Sequence, residues 1–339
     1  MTAPRVTVLM SVHNGGRWLR AAIDSVLAQT WADFEFLIID DASTDDSAGQ
    51  IEAVNDPRIR FIRLPENIGL TRSLNVGLRE ARGEFVARQD ADDLSAPERL
   101  EKQVAFLEAH AEVAVVGAQG RLIGAGGRSR GNRNLPLEAA GVRWLSLFDN
   151  PVIHTAAMFR TAVAREEFGG YDETFSTCQD YELWTRIAER HEVCNLPERL
   201  VTVREHRESI SAVRRVEGPE MVRRVVRRIL ERRGMALSAA EVETVVGFRR
   251  HLKTDEIAGF QRMINRWDGT FPEASDDLAR TRAGVFVRVG YNLLCENRST
   301  AVGQLVEAIR AFPPIVTEIP WPQVVALLLL GERARRLAG

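Results

Sequence analysis

Through the first hundred residues the hydrophobic positions change period again and again, from short unbroken runs to a helical stripe and back. Arg5 to Val12 is an apolar run of strand length. After Asn14-Gly15-Gly16, the apolar positions Trp18, Leu19, Ala22, Ile23, Val26 and Leu27 fall on one face of a helix. Phe34 to Ile39 predicts a second strand, halted by Asp40-Asp41, and a short polar helix follows. Arg58 to Leu64 alternates cleanly and predicts a third strand. Thr71 to Arg82 predicts a helix, and Glu84 to Ala87 a fourth strand ending in Gln89-Asp90. A helix begins at Pro97, with Leu100, Val104 and Leu107 on its apolar face. Strand and helix taking turns implies βαβ units and a mainly parallel sheet flanked by helices.

Later the rhythm loosens. Residues 117 to 134, rich in Gly, Arg and Ser, read as a loop or irregular hairpin. Strand-like Val152 to Phe159 and Glu198 to Arg204 bracket a helix from Tyr181 to Arg190. Past Ser211 the pattern is mostly helical, which puts a boundary near residue 212, and no internal repeat is visible. At 339 residues, 45% hydrophobic and 27% charged, the chain has the composition of a globular protein with a filled core. A formal net charge of -2 gives no global field toward nucleic acid. Cys178, Cys194 and Cys295 show no metal-ligand spacing and fit a reducing compartment. No signal peptide precedes the first strand, and the apolar run Val324 to Leu330 is far short of the ~20 residues of a membrane span. The expectation is a cytoplasmic protein.

Both acidic clusters fall at predicted carboxyl ends of strands, where ligands bind in open α/β sheets. Asp90, Asp92 and Asp93 put three carboxylates within four residues behind an apolar strand. Such a cluster calls for a hard divalent cation, and Mg2+ or Mn2+ would bring phosphate oxygens with it. The plainer role is a solvated loop capping the next helix. Asp40 to Ser47 invites the same comparison: Ser43 and Asp45 suit a turn and cap, while Asp41 is placed to face a ligand crevice.

In order, the chain carries Val8-Leu9-Met10-Ser11-Val12-His13-Asn14, Asp40-Asp41-Ala42-Ser43-Thr44-Asp45, Asn67-Ile68-Gly69 with Asn75-Val76-Gly77, and Asp90-Ala91-Asp92-Asp93 leading to Pro97-Glu98-Arg99-Leu100. Asn150-Pro151-Val152-Ile153-His154 with Met158-Phe159-Arg160, then Gln179-Asp180-Tyr181-Glu182-Leu183-Trp184, Asn195-Leu196-Pro197-Glu198 and Arg204-Glu205-His206 follow. This series resembles the family 2 glycosyltransferases over about two-thirds of the chain. The resemblance implies the GT-A nucleotide-sugar fold, Rossmann-like, in residues 1–212. Its nucleotide-sugar part would span about 1–115 and its acceptor part about 116–212, with a helical extension over 213–339. It further implies an inverting transfer from a nucleotide-diphosphate sugar, a UDP-sugar first among them, to a glycan or lipid-linked acceptor in cell-surface polysaccharide or glycolipid synthesis. Ser11 and His13 match positions lining the nucleoside pocket, and Asp41 matches the carboxylate that reads the base. Asp90 and Asp92 match the DxD motif, with Asp92 the metal ligand and Asp90 nearer the ribose. His206 matches a histidine near the diphosphate that assists the metal, and Asp180 matches the catalytic base. Asn67, Asn75 and Asp93 match scaffold positions. Two departures stand out: Gln179 replaces an acidic residue, and Val203-Arg204 replaces Tyr-Arg.

Asp180 sits under opposed influences, since a helix start favours its ionised form and desolvation opposes it. For His154, an acceptor-pocket role and a satisfied core histidine are equal readings, and Trp184 reads as core. Met221, Val222, Val225, Val226, Ile229 and Leu230 form an apolar stripe beside Arg223, Arg224, Arg227, Arg228, Arg232 and Arg233. Residues 215–234 thus suit a peripheral membrane contact at the inner face, or a helix packed on the protein with its arginines in water. Phe312 to Trp321-Pro322 and the leucine run beyond suggest docking or oligomer contact. Two competitors remain: a nucleotidyltransferase, for which Asn14-Gly15-Gly16-Arg17 is a poor phosphate loop, and a non-catalytic nucleotide-sugar or glycan-binding protein.

Overall fold

The structure, a computed structural model, describes residues 3–209, 217–247, 257–271, 275–293 and Leu305. The segment from Phe312 to the leucine run lies outside them, as do residues 215 and 216. Strands β1 (Val6–Val12), β2 (Phe34–Asp40), β3 (Ile59–Arg63) and β4 (Phe85–Gln89) stand in the order β3-β2-β1-β4, all parallel. Helices α1 (Leu19–Leu27), α2 (Ser47–Glu52) and α3 (Leu70–Glu80) make the connections. Every residue of β1, β2 and β4 is buried, the mark of strands covered on both faces.

Beyond β4 come β5 (Leu94–Ser95), α4 (Arg99–Ala109), β6 (Val113–Gly124), β7 (Ser129–Arg133), α5 (Ala139–Leu145), β8 (Met158–Arg160), α6 (Gln179–Ile187) and β9 (Glu192–Glu205). They extend the sheet as β4-β8-β6-β9-β5, nine strands among the described residues, with β7 paired to β6. Here the sheet is mixed: β8 is antiparallel to β4 and β6, β9 runs parallel to β6, and β5 runs antiparallel to β9. The segment 117–134 is a hairpin of β6 and β7, turned through Gly127 at φ 81°.

The strand expected over Val152 to Phe159 forms only from Met158. A single 3-10 turn, His154–Ala156, takes its first half. The Ala156 carbonyl accepts from Gln103 Nε2, and Thr155 Oγ1 accepts from the Asp90 backbone N–H, so tertiary bonds to the acid loop replace a ladder. An apolar run alone does not distinguish these outcomes.

The chain divides into two compact units, residues 1–139 with 150–221, and 140–149 with 222–339. The second unit is thus discontinuous, where the sequence suggested a single cut. All but the first turn of α7 (Gly218–Arg232) lies in it, followed by α8 (Ala239–Gly247), α9 (Ile257–Asp268) and α10 (Asp276–Leu293). Trp144 Nε1 donates to Asp268 Oδ1 at 2.6 Å, and Trp267 Nε1 donates to the Trp144 carbonyl at 3.0 Å. That exchange anchors residues 140–149 among the C-terminal helices. Val225, Val226, Ile229 and Leu230 of α7 are buried, so most of the apolar stripe is already covered. No helix among the described residues is long and apolar enough to cross a membrane.

The turn into β4 is set by close backbone approach. Thr7 Oγ1 donates to Glu35 Oε1 and accepts from the Gly83 N–H, while Glu35 also accepts from the Arg82 N–H. A Cβ on Gly83 would stand 2.4 Å from the Thr7 nitrogen and 2.6 Å from the Val6 carbonyl carbon. We expect Gly83→Ala to lose about 1–3 kcal/mol of stability, because backbone atoms must move to admit the methyl. Urea denaturation measures this, and an unchanged midpoint would refute it.

Candidate active site

Two loops at the carboxyl end of the sheet are sewn together by small polar residues. Asn14, at φ 55°, accepts the Thr44 N–H on Oδ1 at 2.8 Å, and its own N–H donates to Ser43 Oγ at 2.9 Å. The N–H groups of Gly15 and Gly16 reach Ser47 Oγ and Asp45 Oδ2. Ser43 and Asp45 thus act as turn residues. Asp41 lies beside this clasp, buried, accepting the Ile68 and Gly69 N–H groups on its two carboxylate oxygens at 2.8 and 2.9 Å. His13 Nδ1 bonds the Asp41 carbonyl at 2.8 Å; since a carbonyl only accepts, Nδ1 carries the proton. Asn14 Nδ2 then donates to Nε2. Ser11 Oγ pairs with Ser73 Oγ at 2.8 Å. Ser11, His13 and Asp41 are therefore gathered on two adjacent strand ends, where Val12 and Asp40 are register partners.

Met10 and Gln89 are also partners, so Ser11 and Asp90 emerge side by side. Behind the acid loop are two guanidinium groups almost wholly out of water, Arg88 and Arg99. Arg88 donates through Nη2 to Asp90 Oδ1 at 2.5 Å and through Nε to His154 Nε2 at 3.0 Å. Arg99 donates to Ser95 Oγ, Gln103 Oε1 and the Arg88 carbonyl, and desolvation brings its pKa down to about 9. Desolvation also raises Asp90, helped by the Asp92 and Asp180 charges and opposed by Arg88. Asp93 is pushed well above the ordinary carboxylate range by burial and then by Asp92 and Asp90, although the Arg204 N–H donates to it at 2.8 Å. His154 resolves as a core histidine: desolvation and Arg88 hold it far below the usual imidazole range, and Tyr171 Oη lies 3.1 Å from the same Nε2.

Asp92 faces outward to His206, with Oδ2 and Nε2 2.7 Å apart. The imidazole lies against Trp18, ring centroids 4.1 Å apart, and Trp18 also carries Arg17 and Arg204 within 4.6 and 5.6 Å of its ring. Arg204 keeps its place despite Val203 before it, its Nε donating to the Asp92 carbonyl. A carboxylate oxygen and an imidazole nitrogen in contact suit one divalent cation, and buried His206 Nδ1 has no hydrogen-bond partner, with the Glu208 carboxylate 4.0 Å away. Among the described residues no three His, Cys, Asp or Glu side chains converge, so the other positions on such a cation would fall to phosphate oxygens and water.

Asp180 stands in the first turn of α6, two residues past the N-cap Cys178 at φ 61°, and its carboxylate accepts the backbone N–H groups of Tyr181 and of Asp180 itself. The segment leading to it is pinned to α3: Asn75 exchanges two hydrogen bonds with the Tyr171 backbone, and Thr71 Oγ1 donates to the Phe175 carbonyl. Asn150 Nδ2 donates to Asp180 Oδ2 at 2.7 Å. Desolvation outweighs the Tyr181 N–H, Asn150 and Arg88, so the carboxyl is raised.

The model of glycosyl transferase family 2 matches residues 7–168. The EpsE protein of Bacillus subtilis, which bears a glycosyltransferase name, is 39% identical over 210 residues, covering 60% of this chain and 74% of EpsE. The chain belongs to glycosyltransferase family 2. The amylovoran biosynthesis glycosyltransferase AmsE of Erwinia amylovora is 32% identical over 203 residues, 58% of this chain and 75% of AmsE. Among solved structures, S. aureus TarS 1–349 with UDP-GlcNAc aligns with TM-score 0.57 at 18% identity, covering 93% of this chain and 92% of that one. The Pyrobaculum calidifontis mannosyltransferase PcManGT, in complex with GDP-Man and Mn2+, aligns with TM-score 0.55 at 18% identity, covering 97% and 88%. The glycosyltransferase fold is of the GT-A type. In this family 2 member, sequence reasoning gave no role to Arg88, Asn150 or Thr155, and it put Trp18 on the apolar stripe of the first helix, whereas Trp18 ends the 3-10 turn ahead of α1 and packs on His206. Only Arg88 carried a readable signal, a charge inside a strand otherwise fit for complete burial.

A raised carboxyl costs the fold more as pH climbs, since ionisation is harder in the native state than in the unfolded chain. In metal-free glycosyltransferase we expect Asp93→Asn to be more stable than the parent at neutral pH. The gap should narrow as pH falls through the raised pKa and close below about 4, the ordinary aspartate value, where Asp93 is protonated in both states. Thermal unfolding across pH measures it, and a variant less stable at neutral pH than at acid pH relative to the parent would contradict it.

Proposed function

We propose that this glycosyltransferase moves a sugar from a nucleotide-diphosphate donor to an acceptor hydroxyl with inversion, in a single displacement. The observation that carries the reading is that Asp90 feels the charges of both Asp92, which is paired with His206, and the desolvated Asp180. Residues 1–115 hold the donor, with Asp41, His13 and Ser11 at the nucleoside and Asp90 toward the ribose; residues 116–212 hold the acceptor. A divalent cation, Mn2+ or Mg2+, on Asp92 and His206 supplies positive charge against the departing diphosphate. Asp180 takes the proton of the attacking hydroxyl, and its raised pKa makes it a stronger base than an exposed aspartate. Turnover accordingly falls as pH drops through that raised pKa, because only the ionised carboxylate accepts the proton.

A UDP-sugar is the leading donor, supported by the fold match to the UDP-GlcNAc complex, while the GDP-Man complex keeps guanine donors in the test. The amylovoran biosynthesis enzyme's name supports a role in polysaccharide synthesis; the cytoplasmic location, the cell-surface product and the glycan or lipid-linked acceptor belong to our reading. With Val225, Val226, Ile229 and Leu230 buried, a peripheral membrane contact of residues 215–234 would run through arginines rather than inserted apolar groups.

The test is a thermal-shift panel of UDP, GDP, dTDP and CMP and their sugars, with and without Mn2+. One nucleotide should raise the melting temperature in a metal-dependent way, with the rise lost in Asp92→Ala and His206→Ala. Asp180→Asn should keep that rise and lose about 10²–10⁴-fold in kcat. A variant with full turnover would remove Asp180 as the base, and no shift with any nucleotide would remove the donor site.

A further inference from the structure

The segment 150–152 is held with more care than a loop needs. Asn195, buried, donates through Nδ2 to the Pro151 carbonyl at 3.0 Å and the Pro136 carbonyl at 2.7 Å. Gly117 makes room for it, since a Cβ there would come within 2.1 Å of Asn195 Oδ1. From β7, Arg133 Nη2 donates to the Asn150 carbonyl at 3.2 Å. The Asn150 backbone is therefore fixed from two sides.

Its side chain is fixed as well. The Val152 N–H lies 3.3 Å from Asn150 Oδ1, and a backbone donor there selects the oxygen for that side of the amide. The NH2 group is thereby turned to Asp180 Oδ2, 2.7 Å away. An amide donor oriented in this manner is suited to hold a carboxylate and to favour its ionised form.

We propose that Asn150 is the positioning residue of Asp180, aiming its carboxylate at the acceptor hydroxyl through the Nδ2–Oδ2 hydrogen bond. This rests on the reading of Asp180 as the base. In this reading Asn150 acts on the reaction through Asp180. The other groups that act on Asp180 are Arg88 and Asp90 at the end of β4, Arg133 of β7, and Tyr171 and Cys178 ahead of α6. Of these, Arg88 favours the carboxylate and Asp90 opposes it, while Arg133 adds a second positive charge. The backbone N–H groups of Tyr181 and of Asp180 itself also donate to this carboxylate, and Asn150 is the side-chain donor beside them, so removing it leaves desolvation less opposed.

The test follows the Asp180 carboxyl directly, by carbon-13 NMR of the full chain labelled at aspartate, with the signal assigned by its loss in Asp180→Asn. In Asn150→Ala the Asp180 titration should move to higher pH. In Asn150→Asp, two neighbouring carboxyls should titrate in two separated steps, the upper one above the parent's. Asn150→Asp keeps the side-chain volume and serves if the alanine variant does not fold. Turnover of UDP-GlcNAc with Mn2+ adds a second reading: kcat at pH 6 should fall about ten-fold or more while donor KM changes less than about two-fold. An Asp180 titration unmoved in both variants overturns the proposal. If Asp180→Asn is inactive and the titration is unmoved, Asn150 alone loses its role; if Asp180→Asn turns over fully, the base reading fails whatever the NMR gives.

Discussion

The salt link between Arg88 and Asp90 carries the negative end of this sheet. Three carboxylates crowd one turn, and removing ionised groups from water is costly unless each finds partners. Here two guanidinium groups stand behind them, and both are fully engaged. Arg88 reaches two backbone carbonyls, His154 and Asp90, while Arg99 reaches Gln89, Ser95, Gln103 and two carbonyls. Because the positive charge is buried on the protein side, Asp92 remains turned outward to His206. The loop thus keeps an excess of negative potential on the side where a cation and diphosphate would dock.

Order at the site comes from short polar residues bonded to backbone across neighbouring loops. Asn14 links the first two loops, Asn75 fixes the chain ahead of Asp180, and Thr155 caps the start of the acid turn. Each is a short polar side chain bonded to backbone, which orders a loop without needing a core beneath it. Trp18 does the same for His206 through its ring face.

Most of the parallel half was readable from periodicity, because β1, β2 and β4 are buried throughout and their helices carry single apolar stripes. The acid positions were readable too, since they follow apolar runs directly. What periodicity could not supply was pairing across long separations. Asn150 with Asp180 and Trp18 with His206 join segments whose spacing encodes nothing, and Asp92 and His206 were brought together only by the family resemblance. The turn at His154–Ala156 was hidden for a related reason: Gln103 and Asp90 override a strand-like run from outside it. The division of the chain at 140–149 depends on the Trp144–Asp268 and Trp267–Trp144 bonds, equally remote in sequence.

Strand β8 is only three residues long, yet it bonds β4 on one side and β6 on the other. The parallel and mixed halves of the sheet in the first unit are therefore one continuous fabric of main-chain hydrogen bonds. Hinge bending between them would have to tear that seam. Any relative motion of the two halves must then fall to the connecting loops, and the β6–β7 hairpin can change in sequence while the β3-β2-β1-β4 half keeps its register.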